Sequence, residues 1–264
     1  MTAKSLIKKA LIRLSVWKCP SCGAITKLPG ALCPNCLERY RAEREAPCRF
    51  CGMTAPDCVC STRDLYFCRQ LDCSLRSLIF YDPENKVFSE ALSSLKYSSD
   101  RGAERFFARD LSCEILKMFA INGEIAEDWC VTFPPRRKKA ARLYGFDHAK
   151  GLAKRIAKYT GMEFEDTISR RGNVEQKELD RYSRKENAAA SFALKRSADV
   201  KRKKYVVVDD IVTSGATMRT CQVILLSNGA AAAFPLSIAK TPLRGAGFDA
   251  KRRFRARSSE NWFS

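Results

Sequence analysis

The sequence has few acidic residues, a single histidine and no long apolar run. Its 264 residues carry 29 Asp and Glu against 48 Lys and Arg, which gives a formal net charge of +19. The longest weakly polar run, 223–239, is interrupted by Asn228, Gly229 and Pro235, so it lacks the roughly 20 apolar residues of a membrane-spanning helix. Basic residues scattered through residues 1–18 break the apolar centre that a secretory signal requires. We therefore expect a cytoplasmic protein without a membrane span.

Three regions differ in composition, and they predict three parts of the chain. Residues 1–72 hold a short basic amphipathic helix near the N-terminus, followed by paired cysteines, few β-branched residues and short turns. Residues 73–243 alternate strand-like and helical segments, and residues 244–264 are basic and poor in core residues. With 45% hydrophobic residues the chain has enough apolar material to fold, whereas we expect the basic tail to be disordered.

Hydrophobic periodicity in residues 73–243 predicts an α/β fold. The expected strands are 77–81, 131–133, 205–208 and 231–239, and the expected helices are 83–97, 101–119, 147–159 and 217–227. Residues 172–190 are polar and have no clear period, which predicts a long loop. Because strands and helices alternate with short connections, we expect a doubly wound, mostly parallel sheet.

Eight of the 13 cysteines lie between residues 19 and 60 as closely spaced pairs, a spacing typical of metal ligands. They predict one or two structural Zn²⁺ sites of four thiolates, the first formed by Cys19, Cys22, Cys33 and Cys36 and the second by Cys48, Cys51, Cys58 and Cys60. This sequential grouping closes each set locally, but an interleaved grouping satisfies the same spacing. Cys113, Cys130 and Cys221 lie on apolar faces and are predicted to be small core residues.

One strand–turn–helix segment, residues 205–217, has the pattern of a phosphate and ribose site. The strand leads to two adjacent carboxylates, Asp209 and Asp210, which can accept hydrogen bonds from vicinal sugar hydroxyls. The turn that follows presents backbone N–H groups at a helix N-terminus, which suits a phosphate monoester; its residues are Thr213, Ser214, Gly215, Ala216 and Thr217. A Walker loop is excluded, because Gly-x4-Gly-Lys-Ser/Thr does not occur in the sequence.

This segment resembles the phosphoribosyl pyrophosphate (PRPP) loop of type I phosphoribosyltransferases. The rest of the chain is similar to the ComF family of competence-associated, phosphoribosyltransferase-like proteins. The matching residues are Leu95-Lys96-Tyr97, Phe133-Pro134-Pro135-Arg136, Gly145-Phe146-Asp147, and Gln176, Leu179, Arg184, Asn187 and Phe192. The resemblance covers residues 19–243, and it implies a type I phosphoribosyltransferase fold with a small N-terminal double-zinc cysteine-ribbon domain.

The resemblance also implies a function. PRPP would bind with Mg²⁺, Asp209 and Asp210 would be the catalytic and ribose-binding residues, residues 213–217 would hold the 5′-phosphate, and Arg136 would face pyrophosphate. The family name implies a role in single-stranded DNA uptake or processing during natural competence, together with other competence proteins. The alternative is a nucleobase salvage phosphoribosyltransferase, which would transfer the pentosyl group of PRPP to a base. The sequence does not decide whether turnover occurs.

The chain departs from the family pattern just before helix 147–159. Where the family reads Arg-Gly-Phe-Asn-Gln, residues 144–148 are Tyr-Gly-Phe-Asp-His, so one arginine is missing from the expected pyrophosphate side. We expect His148 to be a solvent-side or ligand-proximal residue rather than a catalytic base. Lys96 matches a family position, but an ordinary exposed helix lysine explains it equally well.

The basic excess predicts a second, phosphate-rich partner. Basic clusters at 136–139, 170–171, 201–204 and 251–257 have four aromatic neighbours, namely Phe133, Tyr144, Tyr205 and Phe254. Basic grooves with stacking rings are typical of non-specific binding to single-stranded nucleic acid. The alternative is a solvated basic surface that accompanies the PRPP site itself.

Overall fold

The structure is a computed structural model that describes residues 17–60, 65–81, 86–97, 101–137, 142–170 and 191–242. The amphipathic helix expected near the N-terminus, the loop expected at 172–190 and the basic tail 244–264 lie outside these ranges. Parts of the basic clusters, at 138–139, 171 and 251–257, lie outside them as well. Within the described ranges, no helix has the length and apolar character that crossing a membrane would require.

The described residues alternate between strands and helices. The strands are β1 (Trp17–Lys18), β2 (Ile25–Thr26), β3 (Arg76–Phe80), β4 (Trp129–Thr132), β5 (Glu163–Phe164), β6 (Ile168–Arg170), β7 (Phe192–Leu194), β8 (Lys204–Val212) and β9 (Ala232–Lys240). The helices are α1 (Pro34–Glu45), α2 (Lys86–Tyr97), α3 (Gly102–Asn122), α4 (His148–Thr160) and α5 (Ala216–Ser227). One sheet has the order β3-β9-β8-β4-β5, and each neighbouring pair in it is parallel. The predicted α/β fold with a parallel sheet is confirmed.

The central strand β8 contributes side chains to the cores on both faces of the sheet. Successive side chains of a strand point to opposite faces. Val206 and Val208 pack with α3 and α4 on one face, whereas Tyr205 and Val207 pack with α5 on the other. All four side chains are fully buried, which is typical of a central strand in a parallel sheet. The doubly wound arrangement is therefore confirmed.

The region of paired cysteines, residues 17–60, which we call the cysteine module, contains a helix that the sequence pattern does not reveal. Helix α1 begins at Pro34, a favourable residue in the first helical turn, but its few apolar residues do not follow a helical period. Tyr40 of α1 is buried against Phe106 of α3, with ring centroids 4.9 Å apart, and its hydroxyl donates to Asp110 at 2.8 Å. The expectation of short turns is therefore wrong for this stretch, because tertiary packing stabilises the helix.

Charged side chains join the cysteine module to the helix and sheet behind it. The Arg44 guanidinium contacts Asp110 at 3.2 Å and also contacts Glu114, while Arg76 of β3 lies 3.3 Å from Glu114. Burial alone would raise the pKa of Glu114, but the two arginines outweigh burial and hold this pKa below its ordinary value. Glu114 is thus a buried anion whose removal would leave two arginines without a shared partner.

Within residues 73–243, three strands and one cysteine differ from the expectations; the two-residue strands β1 and β2 of the cysteine module were not expected either. Strands β5, β6 and β7 are two or three residues long, which is too short for an alternating pattern to be visible in the sequence. Cys113 is exposed on α3, so its prediction as a core residue is wrong, whereas Cys130 and Cys221 are buried as predicted.

Candidate functional site

A cleft of about 260 Å³ lies where β4 and β8 end. Strand β4 is followed by α4 on one face of the sheet and β8 by α5 on the other, so the chain leaves these neighbouring strands in opposite directions. Ligands of doubly wound folds bind outside the carboxyl ends of the strands at this kind of switch point. The position of the cleft is therefore a consequence of the topology.

Asp209 and Asp210, the carboxylates predicted from the sequence, both line this cleft. One oxygen of Asp210 lies 3.0 Å from the Lys96 ammonium and 3.0 Å from Nε2 of His148. The other oxygen accepts the backbone N–H of Ile211 at 2.6 Å, and an Asp209 oxygen accepts the backbone N–H of Asp210 at 2.8 Å. Backbone groups and two basic side chains thus fix the orientation of the pair.

The two carboxylates have opposite electrostatic environments. Burial alone would raise the pKa of Asp210, but contacts with His148 and Lys96 outweigh burial and lower this pKa to about 2. Burial, and then repulsion from Asp210, raises the pKa of Asp209 well above its ordinary value. The ionised form of Asp209 is therefore the one that an incoming hydroxyl group or cation would stabilise most. Lys96 has a partner in the cleft, so it is not a solvated helix lysine.

Asp147 fixes the start of α4 against the segment that follows β4. One of its carboxylate oxygens accepts N–H bonds from Ala149 at 3.1 Å and Lys150 at 3.3 Å, as a helix N-cap does. The other oxygen accepts the backbone N–H of Arg136 at 2.8 Å. His148 follows this cap and is buried in the cleft lining, where its Nδ1 has no hydrogen-bond partner among the described residues. Of the two positions expected for His148, the structure has the one beside the cleft.

The turn after β8 leads into a helix whose N-terminus meets the cleft. Gly215 precedes α5 with φ of +77°, a left-handed conformation that favours glycine. Thr217, in the first turn of α5, lines the cleft, while Thr213 and Ser214 are exposed on the turn. Ala216 is the first helical residue. A helix N-terminus of this kind attracts anions, and here it lies beside the carboxylate pair.

Arg136 lies in the lining of the cleft between two tyrosines. Its guanidinium carbon is 4.7 Å from the ring centroid of Tyr144 and 5.9 Å from that of Tyr97. The guanidinium also donates to the backbone carbonyl of Lys96 at 3.2 Å. The residue predicted to face pyrophosphate is therefore near the carboxylates, but its cation is stacked on aromatic rings.

Sequence reasoning missed Arg170 as a residue of this cleft. Arg170 ends β6, and its guanidinium carbon lies 4.8 Å from the ring centroid of Phe192 at the start of β7; both residues line the cleft. The only sequence signal was a pair of adjacent basic residues, which is as common on a solvated turn as at a site. Strands β6 and β7, which flank residues 171–190 in the chain, thus both reach the cleft.

The eight paired cysteines form two clusters with the sequential grouping. Within each cluster the four sulfur atoms lie within 4.8 Å of one another. The first cluster contains Cys19, Cys22, Cys33 and Cys36, and the second contains Cys48, Cys51, Cys58 and Cys60. Thiolates bound to one Zn²⁺ with tetrahedral bonds of about 2.3 Å lie about 3.8 Å apart, and the sulfurs of Cys22 and Cys33 are 3.6 Å apart. Both clusters fit a zinc ion with four protein ligands.

The two clusters begin with the same backbone turn. The N–H of Gly23 donates to the carbonyl of Cys19 at 3.0 Å, and the N–H of Gly52 donates to the carbonyl of Cys48 at 2.8 Å. The two glycines have φ of +75° and +72°, which side-chain-bearing residues rarely adopt. The glycine after each Cys-x2-Cys pair therefore lets the chain turn back towards the first cysteine.

Two of the four aromatic residues expected to stack on nucleic acid lie in the core. Phe133 is 2% exposed and Tyr205 is 0% exposed, with the Tyr205 hydroxyl donating to Glu165 at 2.5 Å. The prediction is wrong for these two residues. Phe133 directly follows β4, Tyr205 is the second residue of β8, and both side chains face the interior. Phe254 lies outside the described residues, and Tyr144 is on the surface.

Comparison with known proteins finds no family model that matches this sequence. Among curated proteins, the chain is similar to the DNA utilization protein YhgH of Salmonella typhi. The two are 28% identical over 204 residues, which are 76% of this chain and 86% of that protein. DNA utilization protein YhgH of Escherichia coli strain K12 is 26% identical over 216 residues, 81% of this chain and 86% of that protein.

Among solved structures, the chain is similar to the allosteric regulatory enzyme of purine biosynthesis, with a TM-score of 0.36 and 20% identity. The match covers 55% of this chain and 29% of that one, so it spans less than a third of the enzyme. A hypoxanthine-guanine phosphoribosyltransferase of Bacillus anthracis gives a TM-score of 0.35 at 14% identity, over 56% of this chain and 72% of that one.

Proposed function

We propose that this protein binds PRPP with Mg²⁺ in the cleft at the ends of β4 and β8, and that it acts in the handling of single-stranded DNA. The observation that carries the PRPP proposal is the arrangement of Asp209 and Asp210 beside the N-terminus of α5 in one cleft. A carboxylate pair matches a vicinal diol, and a helix N-terminus matches a phosphate ester.

Each part of the cleft has one task in this proposal. The N–H groups of residues 213–217 bind the 5′-phosphate, and Asp209 accepts hydrogen bonds from the ribose hydroxyls. Asp210 shares this task and is oriented by Lys96 at 3.0 Å. Arg136 and Arg170, the cations stacked on aromatic rings, supply positive charge for pyrophosphate.

Two kinds of metal ion belong to the proposal. The carboxylates of Asp209 and Asp210 and a nitrogen of His148 offer ligand atoms within 4.8 Å of one another, and carboxylates are preferred Mg²⁺ ligands. Mg²⁺ bound there would neutralise charge on the pyrophosphate group. We also propose that the two cysteine clusters hold Zn²⁺ as structural ions, in a module of residues 1–72 that stabilises the phosphoribosyltransferase-like part, 73–243.

The DNA-handling role has two supports. A formal net charge of +19 favours a phosphate-rich partner, and the relatives at 26–28% identity are named DNA utilization proteins. Natural competence, with other competence proteins as partners, is the setting that we propose. A cytoplasmic location agrees with 13 unpaired cysteines, because reducing conditions keep thiols available for zinc.

The alternative is a nucleobase salvage phosphoribosyltransferase. In that reaction the bond between ribose C1 and pyrophosphate breaks, and its electron pair leaves with pyrophosphate. A ring nitrogen of the base forms the new bond to C1 and loses its proton. The observation that favours this alternative is the presence of Arg136 and Arg170 in the same cleft as the carboxylates, since cations stabilise a departing pyrophosphate.

Isothermal titration calorimetry with Mg²⁺ and PRPP tests the binding site. Replacing both carboxylates, Asp209→Ala with Asp210→Ala, should weaken binding by at least about 100-fold, because charged hydrogen bonds contribute about 1.5–3 kcal/mol each. Asp166→Ala is the matched control, since Asp166 pairs with Lys150 and Lys195 at 2.8 and 2.6 Å. No affinity in the wild type, or equal affinity in the double variant, would reject the PRPP proposal.

Turnover distinguishes the two candidate functions. Pyrophosphate release after one base from a panel of nucleobases is added to the PRPP complex would support salvage. PRPP binding without release for any base in the panel would support the DNA-handling role.

A further inference from the structure

An exposed aromatic pair borders the cleft beside Arg136. Tyr97, the last residue of α2, is 55% exposed, and Tyr144 is 36% exposed. Their ring centroids are 5.1 Å apart and their planes are inclined by 54°. Because the Arg136 guanidinium stacks on both rings, we call Tyr97, Arg136 and Tyr144 the aromatic rim.

Three separate segments fix the aromatic rim. Arg136 donates from its guanidinium to the carbonyl of Lys96, the residue before Tyr97, and from its backbone to Asp147. Tyr144 is the last residue of a short helical turn, 142–144, and Gly145 after it has a left-handed backbone with φ of +74°. Arg136 is therefore held in place without a ligand and the two rings pack against it, which lowers the entropy cost of binding a ligand.

Further basic residues are close to the aromatic rim in the chain. Arg137 and Arg142 are both exposed, and Lys138 and Lys139 follow Arg137 in the sequence. Arg137 directly follows Arg136 of the rim and lies close enough to Arg170 for its charge to contribute to lowering the pKa of Arg170, and Arg142 lies two residues before Tyr144. Exposed rings together with the exposed Arg137 and Arg142 match a flat base with neighbouring phosphates, which is the chemistry of a single strand rather than of one phosphate ester.

We infer that the aromatic rim is a base-stacking site for single-stranded nucleic acid. A base stacks on Tyr97 or Tyr144, and neighbouring phosphates contact Arg137 and Arg142. The inference deepens the proposed DNA-handling function and rests on it for the partner, but it does not depend on PRPP binding. Its location at the cleft mouth brings a DNA strand next to the ligand of the cleft.

Fluorescence anisotropy with two labelled oligonucleotides of about 15 nucleotides, oligo(dT) and an abasic strand of equal charge, tests the inference. The variant Tyr97→Leu with Tyr144→Leu removes both rings and leaves the charge of the protein unchanged. We expect about 10- to 100-fold weaker binding to oligo(dT), because base stacking contributes about 1–3 kcal/mol, and no change for the abasic strand. Tyr97→Phe with Tyr144→Phe should restore oligo(dT) binding.

Tyr159→Leu is the matched control. Tyr159 is 40% exposed but lies in the last turn of α4, about 16 Å along that helix from His148. Urea unfolding of each variant shows whether the fold is retained, and the Phe variant reports on stacking even where the Leu variant is destabilised. Equal oligo(dT) affinity in the double Leu variant and the wild type, or equal losses on both strands, would overturn the inference.

Two further measurements separate this inference from its alternatives. Thymidine monophosphate that competes as well as oligo(dT) at equal base concentration would identify a free nucleotide as the ligand and overturn the assignment to a strand. Titration of the wild type with Mg²⁺ and PRPP is run in parallel. Loss of oligo(dT) binding in the Leu variant without any PRPP affinity would reject only the PRPP proposal, whereas PRPP affinity without oligo(dT) binding would reject only the rim.

Discussion

Lys240 is a lysine without solvent exposure at the end of β9, next to the second cysteine cluster. Its ammonium group donates to the carbonyl oxygen of Cys58 and lies 5.7 Å from the ring centroid of Phe80. Burial lowers the pKa of Lys240, and nearby cysteine thiolates oppose this shift. An ammonium ion in such a place needs a counter-charge, and four thiolates around Zn²⁺ carry a net charge of −2. We therefore expect Lys240 to balance the charge of a zinc–thiolate cluster.

The substitution Lys240→Met removes this charge and keeps a side chain of similar length. In zinc-loaded protein it leaves the buried cluster without its counter-charge, which costs about 3–5 kcal/mol; full burial means that solvent does not screen the loss. In zinc-free protein the cluster does not carry four negative charges, since burial raises the pKa of Cys58 to about 11 and keeps that thiol protonated at pH 7. In that form the same substitution removes a buried cation that lacks a full counter-charge, so it leaves the stability of the protein unchanged or raises it. The lost hydrogen bond to Cys58 is common to both forms and cancels in the difference.

The difference between the zinc-loaded and zinc-free forms can be measured as a change in zinc affinity. By thermodynamic linkage, the substitution changes the free energy of zinc binding by as much as zinc changes the effect of the substitution on stability. Competition with a chromophoric chelator should show two zinc ions in the wild type and, in Lys240→Met, one of them bound about a hundredfold to a few thousandfold more weakly. Lys203→Met is the control, because Lys203 pairs with Glu165 at the opposite end of the sheet. Unchanged zinc affinity in Lys240→Met, or equal weakening of both ions, would refute the charge-balance argument.

Two other substitutions test the cleft and the junction between the cysteine module and α3. Asp209→Asn should raise the free energy of unfolding at pH 7 and abolish the proposed PRPP binding. Because the pKa of Asp209 is raised in the folded protein, ionising this carboxyl costs stability as the pH rises above its ordinary pKa of 3.8, and asparagine avoids that cost. Urea unfolding measures this gain, and a less stable Asn variant would contradict it. Glu114→Gln should lower the free energy of unfolding by about 3 kcal/mol at pH 7. Because the pKa of Glu114 is lowered, its contribution is present above pH 4.5 and lost as the pH falls through the folded value, so parallel pH profiles of variant and wild type would contradict this account.

The β8–α5 side of the cleft could be predicted because its parts are contiguous in the chain. Residues 205–217 contain the buried strand, both carboxylates, the turn and the helix start, and the structure keeps them together in β8 and α5. The other side of the cleft comes from distant segments. Lys96 lies in the last turn of α2 and Arg170 ends β6, and nothing local in the sequence relates either residue to Asp210. Only tertiary packing, of a helix and of the separate β6–β7 pair against the main sheet, brings them to one cleft.

The cysteine module shows the same limit of local patterns. Spacing identified all eight candidate ligands but left two groupings open, since it records the separation within each pair and not which pairs meet. The structure has the sequential grouping, with the two pairs of each cluster close in the chain. Helix α1 escaped prediction because its stability comes from contacts of Tyr40 and Arg44 with α3, and neither contact leaves a periodic pattern in α1.

Residues 144, 147 and 148 depart from the family pattern at this cleft, and for the proposed ligand PRPP the changes at 144 and 148 favour binding over turnover. In place of an arginine, Tyr144 adds no charge and stacks on Arg136, so a pyrophosphate group must compete with the rings for that guanidinium. Such stacking is worth about 0.5–2 kcal/mol, which would weaken the hold on a departing pyrophosphate by up to about 30-fold. In place of a glutamine, His148 contacts Asp210 at 3.0 Å and helps to keep it ionised. In the proposed complex, negative charge is therefore concentrated where ribose would bind, and the Arg136 cation is already engaged where pyrophosphate would bind, which is why we expect PRPP to be held more readily than it is cleaved.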